Sequence, residues 1–328
     1  MTTLSLPDAR ARLTAIFEAH NTSADNAASV AAALVAAEAD GLKGHGFSRV
    51  PTYAAQSAAG KVDGFATPSA TARGAVLAVD AAHGFAYPAI ALALEALPDL
   101  ARQNGVAIAA LSRSHHCGAL GHPVEALADE GLVALMFANT PVAIAPWGGK
   151  RGLFGTNPIA FAAPLGDETV VVDLSLSKVA RGNVVKAAQD GTPIPEGWAL
   201  DADGNPTTDA KAALSGTMVP MGDAKGVALA LMVEVLAAGV TGAHFSFEAS
   251  SFLNTKGGPP AVGQLIIAID PAATGGSGAH LGRLAAAYAD EPGARLPGAR
   301  RKAARLAAAR DGLTLPKTLI AMPGGGIP

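Results

Sequence analysis

The chain has 328 residues, half of them hydrophobic and 16% charged, with a formal net charge of -3. That is enough apolar chain for one large core or two moderate ones, and its scattered basic residues form no face for nucleic acid. Its one cysteine, Cys117, excludes an intramolecular disulfide framework, no secretory pattern is visible at Met1–Asp8, and the apolar run Gly226 to Val240, broken by Glu234, is short of the about 20 residues of a bilayer span. A soluble cytoplasmic protein acting on a small molecule, with no nucleic acid or membrane partner, is the expectation.

Three helices open the chain. Ser5-Leu-Pro-Asp8 reads as an N-cap with proline in the first turn, leading into Ala9 to His20. Thr22 or Ser23 caps an alanine-rich helix reaching about Asp40 and stopped by Gly41, and Ser48 caps a third that contains Tyr53 and Gln56. Lys43-Gly44-His45-Gly46 is the joint between the second and third helices. A short strand lies between Ala75 and Asp80, followed by a helix from Pro88 to about Asn104.

From Val106 the pattern turns strand-rich: Val106–Leu111, Leu132–Ala138, Ile159–Ala163 and Thr169–Asp173 are short apolar runs separated by turn residues. Glu196 to Pro206 reads as a surface excursion with a tight turn. Lys225 to about Ala238 is an apolar helix, Gly263 to Asp270 a buried strand ended by Pro271, and Leu281–Ala289 and Arg300–Arg310 return to helix. Helices at both ends and strands between them predict an α/β or α+β chain with mixed strand directions, in which a strand-rich middle, residues 116–270, is inserted into a mainly helical domain built from 1–115 and 271–328. No Gly-x-Gly-x-x-Gly follows any predicted strand, since Leu281 stands where the third glycine of Gly276-Ser-Gly278 would fall, so the residues do not support a dinucleotide-binding Rossmann unit.

The chemistry-bearing residues concentrate in two glycine-bearing loops around the Leu132–Ala138 strand: Ser114-His115-His116-Cys117-Gly118-Ala119-Leu120-Gly121-His122, and Phe154-Gly155-Thr156-Asn157-Pro158. Together with Lys43-Gly44-His45-Gly46 and Asp173-Leu174-Ser175, their order resembles the malate/L-lactate dehydrogenase-like family of NAD(P)-dependent oxidoreductases, from about Gly41 to Arg301. That family lacks the usual Rossmann fold and includes the reductases of cyclic imino acids; the resemblance implies an α/β fold in which residues 116–270 are a non-Rossmann, mixed-sheet NAD(P)-binding domain. Ser114-His115-His116, Phe245-Ser-Phe-Glu-Ala-Ser-Ser-Phe252 and the Gly258-Pro-Pro260 turn are similar to the imine-reducing branch more than to the lactate or malate branch, and Gly44 argues the other way.

The resemblance implies roles residue by residue. His45 is the general acid, where the bland reading is a capping histidine; a histidine titrates close enough to neutrality to deliver a proton. Gly44 replaces the family's relay serine, and Asp190 lies near the position of its relay aspartate, although an aspartate before Gly191 is equally a turn residue. Arg49 grips the substrate carboxylate through a planar fork that lysine could not match. Thr156 and the Arg181-Gly182 loop are substrate-side. The cofactor is held by His116, Cys117, Gly118, Ala119 and Leu120, by Asp173, Leu174 and Ser175, by Lys225 and Gly226 at a helix start suited to phosphate, and by the basic loop of Arg295, Gly298, Arg300 and Arg301. No metal is expected, because the spacing of His115, His116, Cys117 and His122 fits no structural zinc site, and His122 is given no role.

Three functions follow. The first is reduction of Δ1-pyrroline-2-carboxylate or Δ1-piperideine-2-carboxylate with NADPH, or NADH in its place; the second is a 2-hydroxy acid dehydrogenase of malate or lactate type; the third is a catalytically idle binding protein on the same fold. The resemblance also implies a homodimer.

Overall fold

The computed structural model describes residues 2–324. Its centre is a seven-stranded mixed sheet in the spatial order Ser69–Arg73, Val76–Asp80, Val106–Ser114, Val262–Ile269, Val133–Ala138, Ile159–Leu165, Glu168–Leu174. All neighbours are antiparallel except Val76–Asp80 and Val106–Ser114, which run parallel with the Ala86–Asn104 helix as their crossover. The chain is therefore α/β with a mixed, non-Rossmann sheet.

Alternation along the central strands builds the two cores. Ala107, Ala109 and Leu111 face one side, with Ala134, Met136 and Ile266, beneath the Ala86–Asn104 and Gly121–Asp129 helices. Ile108, Ala110 and Leu135 face the other, against the Ala224–Glu234 helix and the π-turn Val235–Gly239 that prolongs it. Many of these contacts are made by alanine, so the helices approach the sheet closely. A third core belongs to the Leu6–Glu18, Ala24–Ala39 and Val50–Ala58 helices, and strand Thr2–Leu4 closes it by pairing with Leu313–Leu315. The termini thus meet in one helical layer. The sheet draws strands from both sides of residue 115, so the expected division at that residue is no break in the hydrogen-bonded framework.

Several elements differ from expectation. Ser69–Arg73 is a fully exposed edge strand with no apolar alternation to read. The Glu196–Pro206 excursion belongs to a small three-stranded sheet of Ala199–Leu200, Pro206–Thr207 and Thr217–Met218. The Arg181–Asp190 helix, absent from the sequence reading, buries only Val184 and so has no apolar stripe. Ser48 caps nothing: its hydroxyl donates to Lys43 O (2.6 Å), and the third helix begins after a 3-10 turn over Phe47–Arg49.

Candidate active site

Strand direction decides where the polar loops go. The C-terminal ends of Val106–Ser114, Val133–Ala138 and Glu168–Leu174 point the same way, and the antiparallel Ile159–Leu165 and Val262–Ile269 begin at that edge. His115–His116, Asn139–Thr140, Thr156–Pro158 and Asp173–Ser175 therefore converge, and they line a cavity of about 540 Å³ together with His45, Arg49, Arg181 and Phe252.

His45 and Arg49 reach this cavity from the joint between the second and third helices. Glu38 fixes the joint by accepting Phe47 N–H (2.9 Å) and Lys43 Nζ (2.5 Å). The Nδ1 of His45 is buried without a partner, so Nε2 is the nitrogen offered to the cavity. Burial first, then the charges of Arg49 and His122, push its pKa down to about 4, and His45 is neutral at neutral pH. A Cβ built at Gly44 meets nothing within 4 Å, so no neighbour occupies the space of the family's serine. Arg49 donates Nε–H to Gly44 O (2.7 Å), which leaves its two terminal amines for a ligand.

Arg49, Tyr53 and Gln56 share one face at i, i+4 and i+7. Tyr53 is fully buried and hydrogen-bonds His116 Nδ1. Gln56 donates to Phe252 O (3.0 Å) and Asn254 O (2.8 Å), so its Oε1 accepts from His115 Nε2 (2.8 Å). Lys61, just beyond the helix, donates to the carbonyls of Ser251, Asn254 and Lys256, at 2.6, 3.1 and 2.8 Å. The same stretch thus places the Arg49 guanidinium on the cavity and pins the segment that carries Phe252 and Leu253 as a wall of it. The spacing was the signal for Tyr53 and Gln56; nothing in the sequence pointed to Lys61.

Opposite them, Arg181 and Gly182 line the cavity at the start of the Arg181–Asp190 helix, and Arg181 donates to Val142 O. Burial lowers its pKa, and no carboxylate pairs with Arg49 or Arg181 among the described residues. Thr156 also lines the cavity, its amide donating to Thr140 Oγ1 (3.0 Å). A buried network backs that loop: Glu234 accepts from Asn157 Nδ2 (2.7 Å) and Ser246 Oγ (2.6 Å). Asp190 does not reach the site. It sits at the far end of its helix, roughly 13 Å along the axis from Arg181, exposed and paired with Lys186 (2.6 Å).

The cofactor segments divide. Cys117, Gly118, Leu120, Asp173, Leu174 and Ser175 line the cavity beside His116, whereas the buried Ala119 does not. Burial drives the Cys117 thiol up to about 12, which makes it inert. Burial also raises the Asp173 carboxyl, although the Gly121 amide donates to it (2.8 Å) and Arg301 lies near. Arg301 packs where a Cβ of Gly121 would stand and is 14% exposed. It belongs to a cluster missed in the sequence: Asp40 binds Arg305 (2.7 and 2.8 Å), Arg301 (3.3 Å) and His122 (2.9 Å), and Glu125 binds Arg305 (2.8 Å). His122 therefore has a structural partner. Lys225, Arg295 and Arg300 are exposed and lie off this cavity; Arg295, Gly298 and Arg301 border a second one, of about 870 Å³. Gly226 is buried against Met221 O, in packing that leaves no room for a side chain. The residues present fit a dinucleotide, with the Gly118 backbone and Ser175 hydroxyl on the cavity. No cluster of three or more metal-ligating side chains exists among the described residues, and no helix there is long and apolar enough to cross a membrane.

Comparison with known proteins agrees with this architecture. The malate/L-lactate dehydrogenase family model matches residues 4–322. The chain is 53% identical over 296 residues to a (2R)-3-sulfolactate dehydrogenase (NADP+) of Chromohalobacter salexigens, covering 90% of this chain and 89% of that one. It is 48% identical over 263 residues to a Δ1-pyrroline-2-carboxylate/Δ1-piperideine-2-carboxylate reductase of Pseudomonas putida, covering 79% and 77%. The crystal structure of the Δ1-piperideine-2-carboxylate reductase of Pseudomonas syringae pv. tomato superposes with a TM-score of 0.91 at 40% identity, covering 98% of both chains. The chain is an oxidoreductase of the malate/L-lactate dehydrogenase family.

Proposed function

We propose that the chain interconverts a 2-hydroxy acid and its 2-oxo acid with NADP(H), and that the substrate carries a second anionic group, as 3-sulfolactate does. The observation that carries this reading is the pair of guanidiniums, Arg49 and Arg181, that line one cavity without a carboxylate partner. Burial disfavours the charged form of Arg181, so a counter-charge there is favourable, and a doubly anionic substrate supplies one to each guanidinium. The Chromohalobacter relative bears the name of such an activity. Among the described residues the only acid on the cavity, Asp173, already accepts the Gly121 amide.

The chain's own residues perform the following work. Arg49 holds the carboxylate through its terminal amines, and Arg181 faces the second anionic group. In the oxidative direction neutral His45 accepts the hydroxyl proton at Nε2; in the reductive direction the protonated ring returns it to the nascent alkoxide. A bound anion beside His45 raises its proton affinity and offsets the Arg49 charge. The chemistry that NADP(H) supplies when bound is hydride transfer at the carbon bearing the oxygen. Gly118, Leu120, Ser175 and Arg301 would hold it, and Phe252 and Leu253 keep water from the reacting carbon. Neither Gly44 nor Asp190 provides a relay, so His45 exchanges its proton directly.

A second reading is reduction of a cyclic imino acid. It is favoured by the apolar wall of Pro141, Val142, Phe252 and Leu253, which suits a saturated ring, and by the Pseudomonas relatives. Comparing 3-sulfopyruvate, oxaloacetate, pyruvate and Δ1-pyrroline-2-carboxylate with NADPH and NADH separates the two; no turnover of any would leave the idle-protein reading. The homodimer also remains part of this proposal. None of the residues of the Gly278–Ala289 helix is buried, and its Leu284 and Tyr288 are free for a second copy.

A further inference from the structure

Glu234 is buried at the end of the Ala224–Glu234 helix, and no lysine, arginine or histidine pairs with it among the described residues. A carboxylate out of water without a cation is costly, and only hydrogen bonds offset that cost here. Four donors converge on its two oxygens. Ser246 N–H (2.6 Å) and Asn139 Nδ2 (3.4 Å) bond Oε1, while Ser246 Oγ (2.6 Å) and Asn157 Nδ2 (2.7 Å) bond Oε2. None belongs to the helix of Glu234. They come from the end of the Val133–Ala138 strand, the loop before Ile159–Leu165 and the segment leading to Phe252, and all three line the cavity, at Asn139 and Thr140, at Thr156, and at Phe252. The π-turn Val235–Gly239 starts at the next residue, and such turns concentrate at functional sites.

These bonds give the loop a direction. The Asn157 nitrogen faces Glu234 and Ala230 O (3.0 Å), so its amide oxygen is the atom that accepts Thr140 N–H (3.3 Å). Asn157 is fully buried in a left-handed backbone, φ 41°, a conformation that persists only where its surroundings hold it. The Thr140 hydroxyl oxygen accepts Thr156 N–H (3.0 Å). Its one proton goes to the closer of two acceptors, Thr156 Oγ1 at 3.3 Å against Pro141 O at 3.4 Å. Thr156 Oγ1 therefore receives a hydrogen bond, and its own proton is left for the cavity that both threonines line.

We propose that Glu234 is a positioning residue of the substrate site. Through Asn157 and Thr140 it turns the Thr156 hydroxyl proton toward the bound acid, and through Ser246 it sets the segment that carries Phe252. Neither Glu234 nor Thr140 takes part in proton or hydride transfer; both act through Thr156. The inference rests on the cavity taking an acid, as in the proposed function, and it holds for an oxo acid or an imino acid.

Calorimetric titration of the NADP+ complex with oxalate, an inert acid, reads the site without turnover. Thr140→Val keeps the shape and removes the hydroxyl. It is expected to weaken oxalate binding roughly tenfold, the loss of one hydrogen bond to a charged group, and Thr140→Ser is expected to recover most of that. Glu234→Gln sets an amide N–H against four donors and is expected to weaken oxalate at least as much, with NADPH affinity unchanged. The double variant Glu234→Gln/Thr140→Val should lose no more than the worse single variant, because both act through one hydroxyl. Additive losses overturn the proposal. So does a lowered Tm in Glu234→Gln with oxalate affinity unchanged, which makes Glu234 structural only, or a weakened NADPH affinity alone, which makes it a brace for the cofactor. If Glu234→Gln does not fold, the Thr140 variants still decide: unchanged oxalate affinity in Thr140→Val overturns the proposal, as does a wild-type complex that binds no oxalate. If no tested acid or imine is reduced, the proposed function fails, while the oxalate titrations still decide the role of Glu234.

Discussion

His45 and His116 present parallel rings to one cavity, 5.5 Å between centroids, but only His116 has a hydrogen-bonded partner on its inner nitrogen. In the proposed mechanism His45 carries the mobile proton. His45→Ala is expected to lower kcat about 100- to 10,000-fold, the range for a general acid–base group, while NADPH affinity stays near normal. Near-normal turnover in this variant would make His45 structural.

The two arginines should fail differently. Arg49→Lys is expected to raise substrate KM roughly tenfold for every carboxylate, since a point charge cannot make two parallel bonds. Arg181→Ala should raise KM for 3-sulfopyruvate and oxaloacetate roughly tenfold while leaving pyruvate little changed, because pyruvate has no second anionic group. An equal effect on all three, or on NADPH KM alone, would place Arg181 on the cofactor.

Stability should fall on mild acidification. Burial lowers the pKa of His45 to about 4 and of His115 to about 3, and His116 shifts the same way. Below about 6.5, the unfolded histidine value, the unfolded chain binds protons that the folded chain refuses, so stability is full above that pH and declines as pH falls toward the folded values. Urea midpoints at a series of pH values between about 8 and 5 read this directly; a flat profile contradicts the buried neutral rings.

Asp40→Asn should cost stability more than chemistry. Although burial raises it, the Arg305 and His122 bonds hold the Asp40 carboxyl well below the usual carboxylate range. Removing its charge leaves Arg301 and Arg305 to Glu125 alone and takes the carboxylate partner from His122. The expected loss is about 3 kcal/mol, the lower end for a broken buried pair, because the Arg305 side chain is 40% exposed. A lowered Tm with kcat retained at saturating NADPH fits; an unchanged Tm does not.

What the sequence disclosed follows from local chemistry. The alternating strands at 106–114, 133–138 and 262–269 were readable because each places one face in a core. His45, Arg49, Thr156 and Arg181 were singled out by the resemblance of their motifs to the family's, and all four line the cavity. Asp190 was misplaced because the Arg181–Asp190 helix, with only Val184 buried, has no apolar period to show that residue 190 lies at its far end. The Asp40–Arg305 and Lys61–Ser251 contacts span long stretches of chain, and only the fold brings them together. Arg295 and Arg300, plausible as phosphate ligands by charge, are exposed beyond the cavity.

The most direct test of the central claim is kcat/KM for 3-sulfopyruvate against Δ1-pyrroline-2-carboxylate at saturating NADPH, with NADH run in parallel. Two unpaired guanidiniums in one cavity predict that the doubly anionic oxo acid is preferred by roughly tenfold or more, with NADPH the better donor. A preference for the cyclic imine would contradict the account and assign Arg181 another role.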